Sequence, residues 1–215
     1  DLLPGSGVDL DRFAYTPIIA SDCSSKISNE RKQARFLLIA RMLWDKGVGE
    51  YVEAAKLLTR RYPRTEFCMI GFLDFQNPEA ISEAQINEWI SEGIVQNLGV
   101  INDVRPEIVK ADCVVLPSRF REGTPRSLLE AAAMGRPIIT TNSIGCRETV
   151  DDGVSGYLCI PSDSIDLSKK MEHLIQLNDT QRYEMGRCGR KKMETQFDEQ
   201  IVVQKYLEVI SRNLC

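Results

Sequence analysis

The stretches Phe36-Leu37-Leu38-Ile39-Ala40, Phe67-Cys68-Met69-Ile70, Cys113-Val114-Val115-Leu116 and Pro137-Ile138-Ile139-Thr140 constrain this chain most, because none of them alternates apolar with polar residues. A strand with one wet face alternates; a strand apolar throughout must be covered on both faces, as in a parallel sheet between helical layers. Amphipathic segments separate the runs. Residues 48–60 read as a helix with Tyr51, Ala54, Ala55 and Leu58 on one face, and 81–91 as a second helix. Short strands are expected at 95–100 and 157–160, brief or longer helices at 106–111 and 125–134, and three closing helices near 166–177, 180–195 and 198–212. The expected fold is a doubly wound, Rossmann-like α/β sheet whose site lies at the carboxyl ends of its strands. Residues 1–35 are less periodic and rich in Ser and Asp, and read as a linker leading into the domain.

The strongest chemical signal is Glu122-Gly123-Thr124-Pro125-Arg126-Ser127-Leu128-Leu129-Glu130. Thr124 suits an N-cap and Pro125 the first helical position, which would leave the N–H groups of Arg126, Ser127 and Leu128 open to an anion. Gly123 would let a ligand approach the backbone. Glu130 is the one charge in an otherwise apolar stretch of helix, so it needs donors: ligand hydroxyls, or an interior Arg or backbone amides. After the first strand come Arg41 and Lys46, with Gly47 behind them. They read either as two stray charges on a solvated loop or as a clamp for a diphosphate, and the anion-binding helix start favours the clamp.

The composition narrows the class. Over 215 residues, 43% are hydrophobic and 27% charged, and the net charge is −4, which argues against disorder and against a general nucleic-acid binder. Seven widely spaced cysteines without a CxxC pair fit neither zinc nor a disulfide framework and point to a reducing, cytoplasmic setting; Cys68, Cys113 and Cys159 sit in apolar runs as core residues. No apolar stretch approaches the ~20 residues of a spanning helix. No GxGxxG follows the first strand, which argues against a dinucleotide dehydrogenase.

Together these motifs resemble the retaining GT-B glycosyltransferases of family 4. A Glu, seven residues and a second Glu are met by Glu122 and Glu130, and an Arg followed five residues later by Lys-Gly is met by Arg41, Lys46 and Gly47. The resemblance runs from about residue 30 to 212 and implies one half of a GT-B fold, the domain that binds a nucleotide sugar. It assigns Arg41, Lys46 and the segment Thr124, Pro125, Arg126 and Ser127 to the donor diphosphate. It assigns Glu122 and Gly123 to the donor sugar, Glu130 to the ribose, and Val100 and Ile101 to the nucleobase. Glu122 is the candidate catalytic group, acting by positioning rather than as a covalent nucleophile. Phe72-Leu73 follows Gly71 where many members have a second glycine.

Finer wording, such as Leu73-Asp74, Asp103-Val104-Arg105-Pro106 and Gly145-Cys146-Arg147-Glu148, is similar to bacterial enzymes of capsule, O-antigen and lipid-linked oligosaccharide assembly. That resemblance implies a UDP-linked hexose or N-acetylhexosamine donor, no cofactor, no metal, and a polyprenyl-diphosphate-linked acceptor at the inner face of the membrane. An epimerase of the same fold and a non-catalytic nucleotide-sugar module are the competing expectations. By the same resemblance, 1–30 joins the domain to an acceptor domain that would precede it, 31–195 is the donor domain, and 196–215 would cross back to pack on that acceptor domain. Three features read as decoys. His173 falls on the polar side of its helix, Asp9-Leu10-Asp11 mimics a metal motif, and the basic run 187–192 reads as a solvated face that could also meet anionic lipid.

Overall fold

The computed structural model describes residues 6–18 and 34–213. Along the chain come β1 (Arg35–Ile39), α1 (Val48–Thr59), β2 (Glu66–Ile70), α2 (Glu83–Ser91), β3 (Gln96–Asn97) and α3 (Arg105–Lys110). They are followed by β4 (Cys113–Leu116), α4 (Arg126–Ala133), β5 (Ile138–Thr141), β6 (Gly156–Cys159), α5 (Ser164–Gln176), α6 (Asp179–Lys192) and α7 (Glu199–Asn213). The strands form one sheet in the order β3-β2-β1-β4-β5-β6, every pairing parallel. This is the doubly wound arrangement expected from the apolar runs. Its chain order reverses between β1 and β4, where Leu37 pairs with both Cys68 and Val114.

The pleat sorts the core into two layers. Phe36, Leu38, Phe67, Met69, Cys113, Val115 and Ile139 meet α1, α2 and α5 on one face. Leu37, Cys68, Ile70, Val114, Leu116 and Ile138 meet α3, α4 and the segment Met193–Phe197 that follows α6 on the other. Cys68, Cys113 and Cys159 lie in these layers as free thiols, and Cys146 is a buried free thiol in the loop after β5. Cys23 and Cys215 lie outside the described residues.

Several expectations need correction. Of 95–100 only Gln96 and Asn97 pair as a strand. Gly99 turns the chain out of the sheet at φ 72°, and its N–H goes to the Asn97 side chain instead of a ladder. The segment 6–18 is more than a loose linker. Val8 and Phe13 are buried, and Arg190 of α6 donates to the carbonyls of Phe13 and Ala133. The remainder of the 1–30 segment, 1–5 and 19–30, lies outside the described residues. Nor is the basic run 187–192 uniformly solvated: Arg190 is engaged as above, and the Lys192 side chain is 9% exposed, with its ammonium 2.6 Å from Asp151. Such long side chains cover apolar surface with their stems while their heads find partners. His173 is exposed, with its ring edge-on to Tyr157.

At the amino ends of the strands two arginines are almost fully buried, each 2% exposed. Arg182 contacts Asp112 at 3.2 Å and donates to the carbonyls of Leu174 and Ile175. Arg136 donates to the carbonyls of Ile108, Val109 and Thr16. These bonds meet the desolvation demand of both charges and tie α3, α5 and the segment before β1 to the foot of the sheet.

Candidate functional site

At the opposite end, the loops after β1, β4 and β5 converge. Two glycines make the convergence possible. Gly47 has φ 75°, and a Cβ there would lie 2.0 Å from the Pro117 carbonyl oxygen. Gly145 has φ 89°, and its Cβ would lie 2.2 Å from the Glu122 carbonyl oxygen. No L side chain fits either place, so the β1 and β5 loops can lie directly against the backbone of the β4 loop. The Glu122 N–H then donates to the Ile144 carbonyl, and the Arg119 N–H to the Asp45 carbonyl.

This convergence brings Lys46 and Glu122 together from opposite sides of the switch point. The Lys46 ammonium lies 2.5 Å from Glu122 Oε1, with both side chains less than one-fifth exposed. The Ser118 hydroxyl donates to the same oxygen at 2.6 Å. Arg41 stands further out, in an ion pair with Asp74 of the β2 loop at 3.0 Å. The Met42 N–H donates to the Phe72 carbonyl, which fixes that loop beside β1 and leaves the Phe72 ring half exposed. The two cations expected to form a clamp are therefore each met by a carboxylate in the free chain.

The start of α4 differs from the sequence reading. Pro125, not Thr124, is the N-cap, at φ −68° and ψ 117°, and no side chain caps the helix. The residue before a proline is driven away from helical backbone, so Thr124 stays outside the helix and its carbonyl accepts from Ser6. The Pro125 carbonyl takes the N–H groups of both Leu128 and Leu129. Leu128 is thus removed from the anion-site donors. The N–H groups of Arg126 and Ser127 have no protein acceptor among the described residues, and they carry the positive end of the helix dipole. Gly123 is exposed, and a Cβ there would meet nothing within 4 Å.

One turn into α4, Glu130 is half-buried and its carboxylate makes no hydrogen bond or ion pair with the described residues. Burial pushes its carboxyl pKa up, opposed by the nearby guanidinium groups of Arg126 and Arg12. It lines a cleft of about 170 Å³ together with Gly7, Asp9, Arg12, Arg126 and Glu199. The wall formed by residues 7–13 was read from sequence as a linker only. Asp9 Oδ1 accepts the N–H groups of Asp11 and Arg12, which sets the turn. Arg105 in turn donates to the Arg12 carbonyl while gripping Asp103, whose carboxyl it holds down at about 2. Among the described residues no group of three or more His, Cys, Asp or Glu is placed to hold a metal ion. Val100 is 70% exposed at the end of the β3 loop, while Ile101 packs partly on the core beside α3 and α4. Larger clefts, of about 460 and 470 Å³, lie elsewhere, the first between α1 and α2 and the second at the foot of the sheet.

Sequence reading missed Ser118, Arg12 and the part-buried pair of Arg119 with Glu50. Ser118 carried one legible signal, its position two residues after β4 at the carboxyl end of the sheet. Asp45 Oδ1 and Glu50 Oε2 are buried beside this region without a hydrogen-bond partner among the described residues.

Comparison with known proteins now names the architecture. Residues 33–177 match the family model of the glycosyl transferases group 1. Over 208 residues the chain is 31% identical to the N,N'-diacetylbacillosaminyl-diphospho-undecaprenol alpha-1,3-N-acetylgalactosaminyltransferase of Campylobacter jejuni, covering 96% of this chain and 52% of that protein. It is 28% identical to the capsular polysaccharide biosynthesis glycosyltransferase CapM of Staphylococcus aureus, covering 92% and 50%. Among solved structures, HepE of Anabaena in complex with UDP and glucose superposes with a TM-score of 0.77 at 23% identity, over 95% of this chain and 55% of that one. A glycosyltransferase of Rickettsia africae superposes with 0.78 at 24% identity, over 97% and 56%. The chain thus spans about half the length of the relatives it matches. The structural likenesses establish a Rossmann-like half of the GT-B fold. On the family model, which spans more than half of its length, the chain belongs to the group 1 glycosyltransferases.

Proposed function

We propose that this chain is the donor-binding half of a retaining, metal-independent glycosyltransferase of surface-polysaccharide synthesis. It would carry a hexose or N-acetylhexosamine from a UDP donor to a lipid-linked sugar. The observation that carries the reading is the meeting of Lys46 and Glu122 at the switch point, one loop ahead of an α4 start with two open N–H groups. A diphosphate there would meet an ammonium, a guanidinium from Arg41 and two amides. Each would gain in strength as negative charge grows on the leaving group. Glu122 would accept donor-sugar hydroxyls, and Glu130, half-buried and without a donor among the described residues, would accept those of the ribose. Ile101, with the exposed Val100, would flank the base.

The names of relatives support the donor and acceptor classes: HepE was solved with UDP and glucose, and the Campylobacter relative's name contains an undecaprenyl-diphosphate-linked sugar. The α7 helix supports an acceptor domain packed on it, since Val203, Leu207 and Ile210 repeat at helical spacing and are each more than half exposed. No helix among the described residues is long and apolar enough to cross a membrane.

The test is calorimetric titration of the chain with UDP, GDP and ADP, with and without magnesium, beside Glu130→Ala. UDP binding that ignores magnesium and weakens in the variant is expected. No binding of any nucleotide would sink the reading, and binding that requires magnesium would sink its metal-independent part.

A further inference from the structure

Resting on the donor-site reading above, we infer that Ser118 is a positioning residue for the donor sugar, acting through Glu122. Ser118 is 1% exposed, at the end of β4, and its hydroxyl has two acceptors within reach: Glu122 Oε1 at 2.6 Å and the Asp45 carbonyl at 3.2 Å. A hydroxyl has one proton to give. The shorter contact is to a charged acceptor and falls in the range of strong O–H···O⁻ bonds, so the proton goes to Glu122. The Asp45 carbonyl keeps the Arg119 N–H at 2.8 Å and is not left bare.

The consequence is an asymmetric carboxylate. Both donors, Lys46 and Ser118, sit on Oε1, and no hydrogen bond to Oε2 from the described residues exists. One oxygen is anchored and the other is left to accept from a ligand. The anchor is rigid, because the Ser118 carbonyl accepts the Thr141 hydroxyl at 2.7 Å and the Glu122 N–H is held by Ile144.

Lys46 and Ser118 differ in what a diphosphate would do to them. The ammonium is a mobile point charge that a diphosphate attracts; the buried hydroxyl is neutral and stays. Once the diphosphate draws Lys46 away, Ser118 is the donor left on Glu122 among the described residues. With a free nucleotide solvent can take the place of Lys46 on Glu122, whereas a bound sugar needs the carboxylate fixed in position, so the Ser118 contribution is greatest for the sugar nucleotides.

The experiment titrates the wild-type chain, Ser118→Ala and Ser118→Cys with UDP, UDP-glucose, UDP-N-acetylglucosamine and UDP-N-acetylgalactosamine, with thermal melts to check each fold. The expected result is UDP affinity within about twofold of wild type, while the ratio of sugar-nucleotide Kd to UDP Kd rises about threefold to tenfold for the sugars that wild type binds. Cys fills the space but is a weak donor, so it should show the same rise. An unchanged ratio in both variants, restoration by Cys alone, or an equal weakening of UDP and its sugars would overturn the inference. If wild type binds UDP but none of the sugar nucleotides, the Ser118 role fails while the nucleotide site stands. If it binds no nucleotide, the donor-site reading itself has failed.

Discussion

The two ends of the sheet treat charge in opposite ways. At the amino end Arg182, Arg136 and Asp112 are buried and their polar atoms are closed off by protein partners. At the carboxyl end charge is left open among the described residues: the Glu130 carboxylate has no donor, Glu122 is bonded through one oxygen, and Asp45 Oδ1 and Glu50 Oε2 are buried without partners. Both ends carry ionised groups under the same sheet, so burial alone does not mark function. Satisfaction does: a closed network rigidifies the fold, and an open one stores binding capacity at some expense in stability.

The largest effect should come from breaking the closed end. Arg182→Met strands Asp112 and two carbonyls in the interior, and urea unfolding should show a loss of about 3–5 kcal/mol. Nucleotide affinity, measured where the variant is still folded, should not change. A loss below 1 kcal/mol would erase the contrast between the ends.

At the open end the balance should reverse. Glu130→Ala should weaken UDP binding about tenfold or more, as expected for hydrogen bonds to a charged group, while the melting temperature barely moves.

Glu130 also sharpens the comparison through pH. Its folded pKa is raised by burial, so the ionised form opposes folding at neutral pH, and that penalty fades as pH falls through the folded value. Glu130→Gln should therefore raise the melting temperature at pH 7, on the order of 1 °C. The gain should shrink toward zero below about pH 4, the ordinary glutamate range. A gain that persists into acid would mean that charge is not its cause.

The smallest effect is expected at Arg41. Its pair with Asp74 is exposed, so Arg41→Ala should alter stability by less than about 1 kcal/mol. Whatever it changes should appear in affinity for UDP, more at low salt than at high salt.

The sequence showed the open end better than the closed one, for a physical reason. Groups at the strand ends come next to the strands in sequence, so once the apolar runs are placed, Arg41, Lys46 and Glu122 follow. Glu130 stands out because a lone carboxylate in an apolar stretch has to be explained. Arg136 and Arg182 gave no such sign. Their acceptors are mostly backbone carbonyls, which every residue possesses, and no pattern of side chains reports them. The same holds for Arg190, which holds the carbonyls of Phe13 and Ala133. The α4 start lies one residue later than its sequence suggests because Thr124-Pro125 admits two capping solutions, and the extended backbone of Pro125 and the Leu128 N–H on its carbonyl decide between them. Strand β3 was overestimated because its edge position requires only two paired residues.

The segment before β1 has one more consequence, in its join to α7. Val8 accepts from the Glu199 N–H and donates to the Phe197 carbonyl, while Gly7 lies so close that a Cβ there would sit 2.6 Å from the Glu199 Cα. Two stretches of backbone nearly 190 residues apart in sequence are thus stitched side by side, at the rim of the Glu130 cleft. Mechanically the stitch is a coupled lever. Any force that tilts α7 is delivered to the wall carrying Asp9 and Arg12, so the width of the cleft can follow the helix without a single strand of the sheet changing register.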